Sequence, residues 1–87
     1  MAHVSIPLLL SDTTGGARDV DARGETLAEI VAALDAIFPG IAARIHCDGK
    51  ISPNLALVVD GRIATRGLDT PVRPESQVNI LPAFGGG

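Results

Sequence analysis

The last ten residues, Val78-Asn79-Ile80-Leu81-Pro82-Ala83-Phe84-Gly85-Gly86-Gly87, carry the group with the clearest chemical use: a free carboxylate at the end of three glycines. Glycine has no side chain and the widest backbone freedom, so Gly85 to Gly87 have nothing to pack against a core, yet a narrow channel would admit them. Extended, three residues reach roughly 10 Å past their anchor, enough to place one carboxylate inside another protein's active site. Taken alone, the same glycines read as a frayed, solvated end, the usual fate of last residues. What decides between the two readings is the part of the chain that mounts them.

Other candidate chemistry is thin. His46-Cys47-Asp48 sets a thiol between an imidazole and a carboxylate, but adjacent side chains seldom point at a common centre, and a small buried cysteine is the plainer reading. His3, His46 and Cys47 lack metal-ligand spacing, so no metal is expected. Gly15-Gly16 runs into Ala17-Arg18 rather than the Lys and Ser/Thr of a phosphate loop, so no nucleotide site is expected either. A chain of 87 residues buries only around 60 to 65% of its unfolded surface, which leaves little room for a deep catalytic cleft. The carboxylate must therefore be worked on by another protein, and the chain is not expected to be an enzyme.

Composition narrows the setting. The chain is 46% hydrophobic, mostly Ala, Val, Ile and Leu, which indicates a folded globule. Its two aromatics are Phe38, beside the expected core, and Phe84, beside the tail. Seven basic residues are scattered singly in a chain of net charge -3, which disfavours nucleic acid. Arg62, Arg66 and Arg73 read as a solvated face, the other option being pairing with an acidic patch on a partner. One cysteine excludes an internal disulfide, and the lack of a signal peptide or an apolar span of about 20 residues gives the expectation of a cytoplasmic protein with no membrane partner.

The elements that would position the tail follow from periodicity. Apolar residues at 4, 6, 8 and 10 predict a strand over His3 to Leu10, although Pro7 lacks a ladder donor. Ser11 to Gly16 reads as a loop and Ala17 to Ala22 as a second strand, completing a hairpin. Leu27, Ile30, Val31, Leu34, Ile37 and Phe38 recur at helical spacing, with Thr26 and Glu29 as a capping box and Pro39-Gly40 as the stop. Ile41 to Ile45 adds one turn, His46 to Lys50 a polar turn, and Asn54 to Val59 a strand apolar on both faces. Asp60-Gly61 signals a tight turn into Arg62-Ile63-Ala64, two turns follow, and Val78 to Leu81 is the last strand, stopped by Pro82. The expected architecture is α+β, a mixed sheet with one main helix packed on one face. In its β-grasp form the first and last strands lie parallel at the sheet centre, so the tail leaves from the most secure part of the fold.

These residues resemble the ubiquitin-like sulfur carrier proteins: the small subunit of molybdopterin synthase, the thiamin-pathway carrier and, most closely, the cysteine-pathway carrier. The likeness runs over nearly the whole chain, through Ser5-Ile6-Pro7, Gly24 to Leu27, Gly67-Leu68 with Thr70, and above all Ile80-Leu81-Pro82-Ala83 followed by Gly86-Gly87. Gly85 departs from the pattern, standing where another small residue is usual. The resemblance implies a β-grasp domain over 1–83 and a flexible diglycine tail over 84–87. It implies that a ubiquitin-activating-type enzyme uses ATP to adenylate the Gly87 carboxylate, that sulfur displaces AMP to give a thiocarboxylate, and that a synthase accepts the sulfur. Candidate binding residues are Gly85 and Gly86 in the partner's channel, with Leu81 and Phe84 as apolar anchors; for Leu81, ordinary core is the competing reading. The carrier is expected to bind no cofactor of its own and to be a monomer when free. Isopeptide-forming modifier and tail-inserting small subunit of a molybdopterin-synthase-like complex are the alternatives, and Lys50 as sole lysine argues only against self-chains.

Overall fold

The computed structural model describes residues 1–83, so Phe84, Gly85, Gly86 and Gly87 lie outside the described residues. The first strand is short because of Pro7. Strand β1 (Ala2–Ser5) pairs antiparallel with β2 (Asp19–Ala22), and the hairpin closes one step further on, where the Ile6 N–H donates to the Arg18 carbonyl at 2.8 Å. Beyond Pro7 the chain coils into a 3-10 turn (Leu8–Leu10) and a short helix α1 (Ser11–Thr14), where the sequence pattern predicts a strand and a loop. This corrects the period-two reading: Val4, Ile6 and Leu10 are buried, but Leu8 is 68% exposed because the turn swings it away from the sheet.

The long helix α2 (Leu27–Ile37) forms as its periodicity predicts. Thr26, in extended conformation, accepts the Glu29 N–H at 3.3 Å, whereas the Glu29 carboxylate accepts from the backbone N–H of Glu25 at 3.0 Å rather than from that of Thr26. The reciprocal cap is thus displaced by one residue. Gly24 is needed just before it, since a Cβ there would stand 2.8 Å from both Glu29 Cβ and the Ile30 nitrogen. The helix stops where Pro39 forces Phe38 out of helical geometry, and Asp35 Oδ1 accepts from Gly40 and Ala42 N–H, tying α2 to the single turn α3 (Ile41–Ile45). Of the expected stripe, Leu27, Ile30, Val31 and Leu34 are buried and Phe38 packs against them. Ile37 is exposed, because it falls on the flank of the stripe at the last turn.

His46 to Lys50 is more than a turn. It builds a two-stranded ribbon, β3 (His46–Cys47) with β4 (Lys50–Ile51), across Asp48 and Gly49, both at positive φ. The same Asp-Gly device at Asp60 and Gly61 joins β5 (Leu55–Val59) to β6 (Arg62–Ile63). A 3-10 turn (Gly67–Asp69) and the extended bridge between Thr26 and Pro71 then lead to β7 (Gln77–Pro82). Asp60 fastens that junction: its carboxylate accepts from the Gln77 N–H and the Ser76 hydroxyl, bonds that hold its pKa below the usual carboxylate range.

The sheet order is β2-β1-β7-β5-β6, with β1 and β7 parallel at its centre, as the β-grasp expectation requires. Ala2, Val4, Leu55, Leu57, Val59, Val78 and Ile80 face inward and meet α2, so the core lies between helix and sheet. Pro82 does not end β7 early. The Ala83 N–H donates to the Asn54 carbonyl at 2.8 Å, which puts Pro82 opposite Leu55 in the non-hydrogen-bonded register, where its missing donor costs no ladder bond.

Candidate functional site

The site is built from the side of the sheet that α2 leaves open. Residues directly opposite across a ladder share a face, so the registers place His3 and Ser5 of β1 beside Asp19 and Asp21 of β2, then Gln77, Asn79 and Leu81 of β7, Ala56 and Val58 of β5, and Ile63 of β6. This face divides in two. Towards β2 it is charged and polar; towards β5, β6 and the far end of β7 it is apolar.

Leu81 belongs to the apolar half. It is 44% exposed, next to the buried Ile80, which overturns the reading of Leu81 as ordinary core and leaves it free to anchor a partner. Opposite it sits half-buried Ala56, and the apolar strip continues through Val58 to Ile63, which is 69% exposed. The sequence names Leu81 but misses Ala56, Val58 and Ile63. Their signal is the run Leu55 to Val59, apolar at every position: its inward half is core, and its outward half is an open surface rather than a covered one.

Beside Leu81 the last bond given by the structure, from Ala83 to Asn54, holds the backbone in the sheet up to the residue before Phe84. Phe84, Gly85, Gly86 and Gly87, the other predicted site residues, lie outside the described residues. The four residues after Ala83 span at most roughly 14 Å, so whatever works on the Gly87 carboxylate must come close to this end of the sheet.

In the polar half, His3 bridges both aspartates, with Nε2 at 3.0 Å from Asp19 and Nδ1 at 3.2 Å from Asp21. Sequence reasoning missed the cluster, although Asp19 and Asp21 in a period-two strand opposite His3 signal it. The bonds to Asp19 and then to Asp21 raise the imidazole pKa above 6.5. A raised folded value contributes stability that is fully present below 6.5 and is lost as pH rises through the folded value. We expect the His3 ring protons to titrate above 6.5 in NMR and to return towards it in the Asp19→Asn, Asp21→Asn double variant. A wild-type midpoint at or below the ordinary value would show that the bridge does not persist in solution.

The remaining motif brings nothing together. Cys47 is exposed, contrary to the small buried residue expected, and its neighbour His46 projects to the other side of the ribbon. His46 Nδ1 is buried without a hydrogen-bond partner among the described residues. No group of His, Cys, Asp and Glu among the described residues has the arrangement to hold a metal ion, and no described helix is long and apolar enough to cross a membrane.

The ThiS family profile matches residues 5–87. The sulfur carrier protein CysO of Mycobacterium tuberculosis is 35% identical over 89 aligned positions, covering 97% of this chain and 96% of the relative. Among solved structures, the Amycolatopsis orientalis BexX/CysO complex contains a chain that superposes with a TM-score of 0.92 at 32% identity, with full coverage of both chains. The small archaeal modifier protein 1 of Methanosarcina acetivorans, at 19% identity and a TM-score of 0.80 over 99% of this chain and 95% of its own, shares the fold.

Proposed function

The chain belongs to the ThiS family, and on that premise we propose that it is a sulfur carrier whose terminal carboxylate, on Gly87, is activated and sulfurated by partner proteins. The observation that carries the reading is the exposed apolar strip ending at Leu81, placed where the sheet hands the chain through Ala83 into the glycine tail. Cysteine biosynthesis is the pathway we take it to serve, on the resemblance to the cysteine-pathway carrier and the likeness to CysO, and a carrier that meets its partners and ATP there would work in the cytoplasm.

The chemistry is fixed by what a carboxylate lacks. Its charge is delocalised and oxide is a poor leaving group, so the partner transfers AMP from ATP to the Gly87 carboxylate and releases pyrophosphate. Sulfide then attacks the acyl carbon and AMP leaves; where the terminal sulfur of an enzyme persulfide attacks instead, AMP leaves an acyl disulfide whose S–S bond a thiol reduces, freeing the thiocarboxylate. The product is a thiocarboxylate, ionised at neutral pH and a ready nucleophile towards the acceptor. The carrier contributes the reacting group and the docking face; nucleotide binding belongs to the partner.

Intact-mass measurement tests this. After incubation with the adenylating enzyme of the same genome, ATP and sulfide, the wild-type chain is expected to gain the mass of one oxygen-to-sulfur exchange. Recovery of the unchanged mass with an enzyme that hydrolyses ATP, or of adducts on other proteins' lysines in place of it, would overturn the reading.

A further inference from the structure

Three of the seven basic residues, scattered in the sequence, meet in the fold. Arg62, Arg66 and Arg73 line one open groove of about 540 Å³, together with Val59, Ile63 and Pro71. The ion pairs among the described residues are those of His3 with Asp19 and Asp21 and of Arg44 with Asp12, so the three groove guanidiniums have none there. Asp60 also lines the groove, but its carboxylate oxygens already accept from Ser76 and Gln77. The chain carries ten acidic residues against seven basic ones, so a basic groove runs against its overall charge.

The placement gives the groove a partner. Arg62 lies opposite Val59 and so shares the covered face, whereas Ile63 lies opposite Val58 on the open face. The groove therefore wraps around the free edge strand β6 and runs, through Ile63, into the apolar strip that ends at Leu81. Val59 pairs with Val78 and Leu55 with Pro82, so the two ends of this surface are four residues apart along β7, roughly 13 Å. One protein seated over the strip spans both.

We propose that the groove of Arg62, Arg66 and Arg73 docks an acidic segment of the enzyme that adenylates the tail, an inference that rests on the carrier reading. Guanidiniums at an exposed rim steer encounter and fix register more than they add affinity, so their effect falls on association and fades with salt. The groove aligns the carrier from the far end of the sheet while Leu81 and the tail engage at the near end.

The test is loading kinetics of the Arg62→Gln, Arg66→Gln, Arg73→Gln triple variant against wild type, by intact mass, between low and high ionic strength. All three side chains are exposed, so the fold should survive, and a thermal midpoint near wild type checks that it does. We expect kcat/KM for the carrier to fall about 10-fold at low salt with kcat within about twofold, and the salt dependence to flatten. The Arg→Lys triple should retain much of the salt dependence. If wild type loads but the Gln variant matches its KM and salt dependence, the inference is overturned while the carrier reading stands. It is overturned in the same way if inorganic phosphate shifts the groove's NMR signals while KM is unchanged, since the groove would then serve a small anion. If wild type does not load at all, both fall.

Discussion

Removal of Gly86 and Gly87 is expected to reduce sulfur loading below detection and to leave the thermal midpoint within about 4 °C of wild type. The two halves of this expectation have separate causes. On the carrier reading proposed above, loading fails because the reacting carbon is the last carbonyl of the chain: ending the chain at Gly85 withdraws the carboxylate by two residues, roughly 7 Å, from a catalytic centre whose tolerance is a fraction of that. Stability should hold because the buried hydrophobic cluster of the described residues runs from Ala2 to Ile80, and a glycine has no side chain to bury in a core. Adding one residue after Gly87 displaces the carboxylate the other way by about 3.5 Å and should be nearly as harmful. Intact mass after incubation with the adenylating enzyme reads the first half, and calorimetry reads the second. A truncated chain that still gains sulfur would place the chemistry elsewhere; one that melts far below wild type would make the tail structural.

The framework of the fold was legible because its signals are local. The stripe from Leu27 to Leu34 has helical period, Pro39 stops it, and two Asp-Gly pairs mark two tight turns. What periodicity does not carry is which partner a strand finds. Leu8 satisfies the period-two pattern, yet Pro7 removes the ladder donor that would keep the chain in the sheet, so the pattern continues into a segment that has already turned away. Ile37 fails at the flank of the helical stripe for a comparable reason, since where a core ends is set by the neighbouring sheet. The site divides the same way. Leu81 is legible as an apolar residue beside the tail, but its exposure, the strip it joins with Ala56, Val58 and Ile63, and the gathering of Arg62, Arg66 and Arg73 all depend on long-range register.

Adjacent residues Ile80 and Leu81 give the sharpest separation of stability from docking, because alternation along β7 sends one inward and the other out. Ile80 is 2% exposed, opposite Leu57 and under α2, so Ile80→Ala removes buried methylenes from a close-packed core and should cost about 2 to 5 kcal/mol. In a domain this small that lowers the melting temperature by more than about 10 °C. Leu81→Asp should do the reverse. Its exposed side chain gives up little on folding, so the midpoint should stay near wild type, whereas a carboxylate set into the apolar strip must be desolvated against the partner without a counter-charge. We expect kcat/KM for loading to fall about 10- to 100-fold. Because the tail itself is untouched, raising the adenylating enzyme's concentration should recover much of the lost loading, which no concentration does for the truncated chain. A Leu81→Asp chain that loads like wild type would remove the strip from the docking surface, and one that melts like Ile80→Ala would return Leu81 to the core. The two variants differ by one position in sequence, so a shared phenotype would mean that β7 does not hold the alternation on which the whole site is built.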